Sequence, residues 1–164
     1  MAKYLKVGTN HQTLVDDDDY EKLKHLRFHK YVSSHNGFIY PRESKTKRYI
    51  HRFILNDFDP KTTVDHINRD SLDNRKENLR ICTTQQNCIN RPAQRNNTTG
   101  FKGVFKREKP TPGYKDRWRA CIRFNQKLIH LGTFNNPEDA AKAYNDKALE
   151  LFREFAHLNV IKET

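Results

Sequence analysis

Two short strand-like runs separated by a polar loop, followed at once by a helix start, constrain this chain more than any other feature. Thr62 to Ile67 and Leu79 to Thr83 read as strands, and the polar stretch opening at Asn68-Arg69-Asp70 lies between them. Thr83 or Thr84 can cap a helix carrying Gln85, Asn87, Cys88 and Arg91. The order strand, loop, strand, helix puts Asp65 and His66 on the first strand, Asn78 in the middle and Asn87 on the helix. Neighbours on a strand face opposite ways, so Asp65 and His66 converge only where the strand ends or twists.

Around this unit the chain is rich in short strands. Tyr4 to Val7 is a strand candidate and Gly8-Thr9-Asn10 a turn. The acidic run Asp16 to Asp19 precedes Tyr20, Leu23 and Leu26 at helical spacing. Carboxylates in a first turn suit the helix dipole, so the run predicts helix entry rather than a metal site. Phe28 to Val32 and Phe38 to Arg42 predict a hairpin around Asn36-Gly37, and His51 to Leu55 a short helix ended by Asp59-Pro60. Polar, aperiodic residues 93–98 read as a linker. Beyond it come three strand-like runs, Gly103 to Arg107, Arg117 to Phe124 and Lys127 to Phe134. Asn136-Pro137-Glu138-Asp139 then opens a helix reaching about Phe152. The expected class is α+β: a β-rich region with short helices over 1–60, a ββα unit over 61–92, and a three-stranded antiparallel sheet packed on one helix over 99–160.

The charge distribution bears on partners. The 164 residues carry a net charge of +11, which suggests a polyanionic partner. Only 35% are hydrophobic, so any core is modest. Residues 102–127 hold nine Lys or Arg against Glu108 and Asp116. Phe105, Tyr114, Trp118, Ile122 and Phe124 interrupt that run, which marks an ordered basic face rather than a disordered tail. Alternation sets Trp118, Ala120 and Ile122 on one side of a strand and Arg117, Arg119, Cys121 and Arg123 on the other. The second set, joined by Lys106, Arg107, Lys127 and His130, is the candidate DNA-facing surface. Arginine can read guanine with two hydrogen bonds, while lysine mostly contributes phosphate affinity. Lys45, Lys47, Arg48 and Arg52 form a smaller basic patch, in which Arg52 is a further candidate DNA contact. The three cysteines form no Cys-x-x-Cys pair, which fits a reducing cytoplasm and argues against a disulfide or zinc scaffold. No signal core or membrane-length apolar run is visible, so the expectation is a cytoplasmic protein without a membrane partner.

Phosphodiester hydrolysis needs a base for the attacking water, stabilisation of the charged transition state and neutralisation of the departing oxygen. Asp65 and the amide oxygen of Asn87 suit a hard divalent ion of the magnesium class, with manganese as the alternative. His66 titrates near neutral pH and suits the base, and Asn78 can pin the loop between them. His51 reads as a surface or phosphate-contacting histidine rather than a ligand.

The His51-Arg52 pair, Val64-Asp65-His66-Ile67, Asp73-Asn74-Arg75, Glu77-Asn78-Leu79-Arg80 and the helix residue Asn87 together resemble the phage HNH homing endonucleases, in the variant whose last signature histidine is asparagine. The resemblance implies a ββα-metal finger with His66 as general base, Asn78 bracing its loop, and Asp65 and Asn87 as metal ligands. It also implies products with a 5′-phosphate and a 3′-hydroxyl. Residues 99–159, through Gly103-Val104, Trp118 to Arg123, Leu131 to Phe134 and Ala140 to Tyr144, resemble the plant ethylene-response-factor (Apetala-type) DNA-binding domain. That family lays a three-stranded sheet in the major groove. Phe105 and His130 depart from its pattern, so only a docking mode carries over. The expectation is a site-preferring endonuclease on double-stranded DNA, acting as a monomer whose single centre nicks. A DNA-binding regulator with an inactive finger is the alternative.

Overall fold

A computed structural model of the chain describes residues 1–34, 37–94, 96–107 and 116–162. The expected Asn36-Gly37 turn and most of the Glu108 to Asp116 loop therefore fall partly or wholly outside the described residues. The chain forms two compact units, Met1–Asn87 and Cys88–Thr164. Among the described residues, no helix is long and apolar enough to cross a membrane.

The first unit opens with strands β1 (Ala2–Val7) and β2 (His11–Asp16), joined at Gly8, whose φ of +61° suits glycine. Helix α1 (Asp17–Leu23) follows directly, with Asp17, Asp18 and Asp19 in its first turn. Strands β3 (Phe28–Val32) and β4 (Ile39–Glu43) pair antiparallel, and the sheet order is β2-β1-β3-β4. Helix α2 (Ile50–Ile54) stops sooner than the sequence suggested. Leu55 caps it and Asn56 turns the chain at a φ of +50°, well before Pro60. Strands β5 (Thr63–His66) and β6 (Leu79–Cys82) form a separate antiparallel pair with Asp65 opposite Arg80 and His66 opposite Leu79. Helix α3 (Thr84–Ile89) begins at a reciprocal cap: Gln86 N–H donates to the Thr83 hydroxyl, and Thr83 N–H to the Gln86 side chain.

Among the described residues, one core joins the two sheets of this unit. Leu5, Val7, Val15, Leu23, Phe28, Ile50 and Ile54 pack together with Val64 of β5 and Leu79 of β6. Each such side chain contributes roughly 1.5–3 kcal/mol through burial, so β5 and β6 are held by the preceding sixty residues and not by each other alone. The outer edge of β2 is covered as well. Leu14 N–H donates to Leu72 O, and Asn74 N–H donates to Leu14 O, both at 2.8 Å. That pairing ties the long β5–β6 loop to β2.

The second unit contains strands β7 (Val104–Lys106), β8 (Trp118–Phe124) and β9 (Lys127–Phe134) in that spatial order, both pairings antiparallel, and helix α4 (Pro137–Phe152). Asn136 caps α4 by accepting from Asp139 N–H at 2.7 Å. Val104, Ala120, Ala140 and Ala141 form the core, with Trp118, Leu131, Phe134 and Ala143 packed against them. Small residues on α4 let the helix approach the sheet closely.

The sheet departs from simple alternation at one place. A bulge between Ala120 and Cys121 breaks the register against β9, and Ala120, Cys121 and Ile122 are buried in succession. Cys121, expected beside the arginines as an exposed residue, is buried there opposite His130. Register also places two exposed lysines. Lys106 pairs with Trp118 and Lys127 with Phe124, both on the helix-packed side of the pleat, and Lys106 ion-pairs with Asp116 at 2.6 Å. The exposed face is instead carried by Arg119, Arg123 and His130, by Arg107 and Arg117 at its edge, and by the half-exposed Phe105 opposite Arg119.

Candidate active site

His66 is the last residue of β5, and the chain turns away immediately: Arg69 N–H returns to His66 O at 2.9 Å, with Arg69 at a φ of +65°. The two adjacent residues leave the strand toward different partners. The Asp65 carboxylate accepts the Arg80 guanidinium through Nε at 2.9 Å and Nη2 at 2.6 Å, across the β5–β6 pair. The His66 ring lies among Asn74, His51 and Tyr40, with Nε2 3.2 Å from Asn74 Oδ1 and ring centroids 5.4 Å from His51 and 6.2 Å from Tyr40. Both Asp65 and His66 are buried.

The loop beyond His66 is organised by Asn78. Its side chain donates to Asp73 O at 2.7 Å and to Asn68 Oδ1 at 3.0 Å, and accepts from Asn68 N–H at 2.9 Å. Asn68 in turn donates to Asp73 Oδ2, and Arg75 ion-pairs with the same carboxylate at 2.8 Å. Asp73 is thus held below the usual carboxylate range, chiefly by the Arg75 hydrogen bond. Asn87 lies half-buried on α3, its backbone N–H committed to Thr83 O.

Burial dominates the electrostatics. The His66 imidazole is pushed below its ordinary value by desolvation, opposed by the Asn74 hydrogen bond and by the Asp65 charge. His51 is not a surface histidine: it is 7% exposed, stacked on Tyr49 at 5.4 Å, and its Nδ1 has no hydrogen-bond partner. Its pKa falls to about 3, first through burial and then through the nearby His66 and Arg52. Both rings are therefore neutral at pH 7.

A consequence for stability follows from the sign of that shift. An unfolded His51 takes up a proton near 6.5, whereas the folded one resists until about 3. Its contribution is complete above pH 6.5 and is lost as pH falls toward 3. Denaturant-unfolding midpoints should drop through that window, with His51 accounting for up to about 1.4 kcal/mol per pH unit. His51→Phe should flatten the profile, and an unchanged slope would count against a neutral buried His51.

Arg52 takes a different place from the DNA contact read in the sequence. Its guanidinium donates to Asp57 Oδ2, to Asp59 O at 2.9 Å and to Thr62 O at 2.8 Å. These bonds tie α2 to the segment entering β5, a scaffold role. Arg80, Asn74 and Thr13 are the site neighbours that sequence reasoning missed. Only Arg80 carried a usable signal, since pairing the two strands in register sets it opposite Asp65.

Asp65 and Asn87 offer oxygen donors, the chemistry a hard divalent ion prefers. Arg80 holds the Asp65 carboxylate at Oδ2. In the chemistry of their donor atoms the two side chains suit a magnesium-class ion.

Residues 48–88 match the family model described as HNH endonuclease, and this segment contains Asp65, His66, Asn78, Arg80 and Asn87. The chain thus carries an HNH endonuclease domain. A particular relative is an uncharacterized HNH endonuclease of Acanthamoeba polyphaga mimivirus, 34% identical over 115 residues, which is 70% of this chain and 56% of that protein. The chain spans little more than half the length of this relative. No solved structure matches the chain.

Proposed function

We propose that the protein is a metal-dependent, site-preferring DNA endonuclease of the homing type that nicks one strand. The observation that carries this reading is the buried, neutral His66 next to the Asp65 carboxylate, inside the segment that matches the HNH endonuclease family. His66 takes the proton from the attacking water. Asn78 keeps the loop after β5 rigid, so that His66 stays at the strand end. Arg80 holds the Asp65 carboxylate in place. Asp65 and Asn87 would hold Mg2+, or Mn2+ in its stead, in a ββα-metal arrangement of β5, β6 and α3. The ion, when bound, supplies Lewis-acid stabilisation of the phosphorane-like charge and of the departing 3′ oxygen. One such centre cuts one strand, so a monomer leaves a nick with 5′-phosphate and 3′-hydroxyl ends.

The second unit, with its Apetala-type order of three strands and a helix, would lay Arg107, Arg117, Arg119, Arg123 and His130 against double-stranded DNA. These residues share its exposed face. Arg119→Ala and Arg123→Ala should each weaken binding and reduce the salt dependence of affinity by about one unit of slope. Salt titrations in which neither substitution changes slope or target preference would remove the sheet from the DNA.

Mapping product ends on supercoiled DNA that carries candidate targets, with Mg2+ present or chelated, tests the enzyme directly. A nick with 5′-phosphate ends that disappears on chelation is the expected result. Linear product from a single binding event contradicts nicking. Specific binding without cleavage under any divalent ion favours the regulator instead.

A further inference from the structure

Behind His66 lies a chain of buried hydrogen bonds whose direction is fixed at both ends. Asn74 is fully buried, and its amide nitrogen donates to Ser71 O at 3.1 Å and to Thr13 Oγ1 at 2.8 Å. Ser71 O is a carbonyl and can only accept, so the nitrogen of the carboxamide must be on that side. The Thr13 hydroxyl, fully buried on β2, donates to Leu72 O at 2.8 Å and so has its lone pairs, not its proton, available to Asn74. Turning the Asn74 amide over would set its oxygen against the Ser71 carbonyl and leave buried groups unpaired, which is unfavourable. The oxygen of Asn74 therefore faces His66 Nε2, 3.2 Å away. An oxygen acceptor there requires a proton on Nε2.

We infer that Asn74, locked by Thr13, is a positioning residue that fixes His66 as the Nε2–H tautomer and leaves the lone pair on Nδ1. This deepens the proposed function and rests on its reading of His66 as the base: Nδ1 is the atom that takes the proton from water. The lock reaches from β2 across sixty residues of sequence, and the backbone bonds between Leu14 and the Leu72–Asn74 segment keep its two halves in register. A neutral imidazole has two tautomers, and only the one held by its hydrogen-bond partner presents a base to the reaction.

The test is a long-range 1H–15N spectrum of the full chain with 15N-labelled histidine at mildly alkaline pH, the His66 signals being assigned by their loss in His66→Gln. The unaltered protein and Thr13→Ser should show His66 as a single Nε2–H tautomer. Asn74→Leu and Thr13→Val should show mixed tautomers, with kcat for cleavage down by about 10- to 100-fold in Asn74→Leu, a smaller drop in Thr13→Val, and little change in KM for DNA. Restoration of both tautomer and kcat in Thr13→Ser separates the hydroxyl from the bulk of the side chain. If Asn74→Leu does not fold, the Thr13 pair decides alone. An Nδ1–H signal in the unaltered protein overturns the inference, as does an unmixed tautomer with full kcat in folded Asn74→Leu or Thr13→Val. Should the tautomer behave as expected while His66→Gln still cleaves, the lock stands and the reading of His66 as base fails.

Discussion

His66→Ala should eliminate metal-dependent strand cleavage while leaving DNA affinity close to that of the unaltered protein. A positioned general base is worth about 10²- to 10⁴-fold in rate. His51 is the nearest imidazole, at 5.4 Å between rings, but with a pKa near 3 it is a feeble proton acceptor at neutral pH. Raising the pH should therefore not rescue the variant. Binding should survive because the proposed DNA-facing arginines belong to the second compact unit. The substitution also leaves Asn74 Oδ1 without its partner in a buried site. A stability loss of about 1–3 kcal/mol is expected, and an unfolding curve must accompany the assay. Cleavage by folded His66→Ala within tenfold of the unaltered protein would rule out His66 as the base.

Gly103→Ala should destabilise the C-terminal unit more than the same change at Gly100 or Gly132. Gly103 has a φ of +74°, and a Cβ there would lie 2.2 and 2.3 Å from two Tyr144 ring carbons and 2.6 Å from Cys121 O. Tyr144 is buried on α4, and Cys121 N–H already donates to Gly103 O at 2.8 Å, so neither neighbour can move without parting the helix from β8. Left-handed strain costs about 1–2 kcal/mol, and overpacking adds about 1–3 kcal/mol. Gly100→Ala separates the two terms. Gly100 has a similar φ of +77° but open space around it, so it should show the strain alone. Thermal melting and DNA affinity should both drop steeply for Gly103→Ala and slightly for Gly100→Ala. Equal melting of the two variants would mean that the Tyr144 contact is not close.

Most strands and helices were legible because their signals are local. The Thr83 to Gln86 cap, the Asn136-Pro137 start and the acids opening α1 each act within one turn. The arginine face of β8 was legible in part: period two holds until the bulge at Ala120/Cys121, where a buried cysteine replaces the expected exposed one. That Lys106 stands opposite Trp118 and Lys127 opposite Phe124 follows from cross-strand register, which one strand's alternation does not give. The residues around His66 were less accessible still. Arg52 looks like any basic residue until Asp57, Asp59 and Thr62 close around it. Thr13 and Asn74 are a hydroxyl and an amide, unremarkable in sequence, and their meaning comes only from meeting across β2 and the β5–β6 loop.

The core shared by Leu5, Val7, Val15, Val64 and Leu79 bears on how such a protein could be recombined. A ββα segment taken from residues 61–92 would leave behind the apolar partners of Val64 and Leu79, together with the Thr13 that faces Asn74. The compact unit Met1–Asn87 contains both that interior and the residues described around His66. Exchange of this unit between chains, in a laboratory or in a genome, thus has its natural crossover past Asn87, toward the end of α3, and swaps made upstream of β5 would break the piece they meant to transfer.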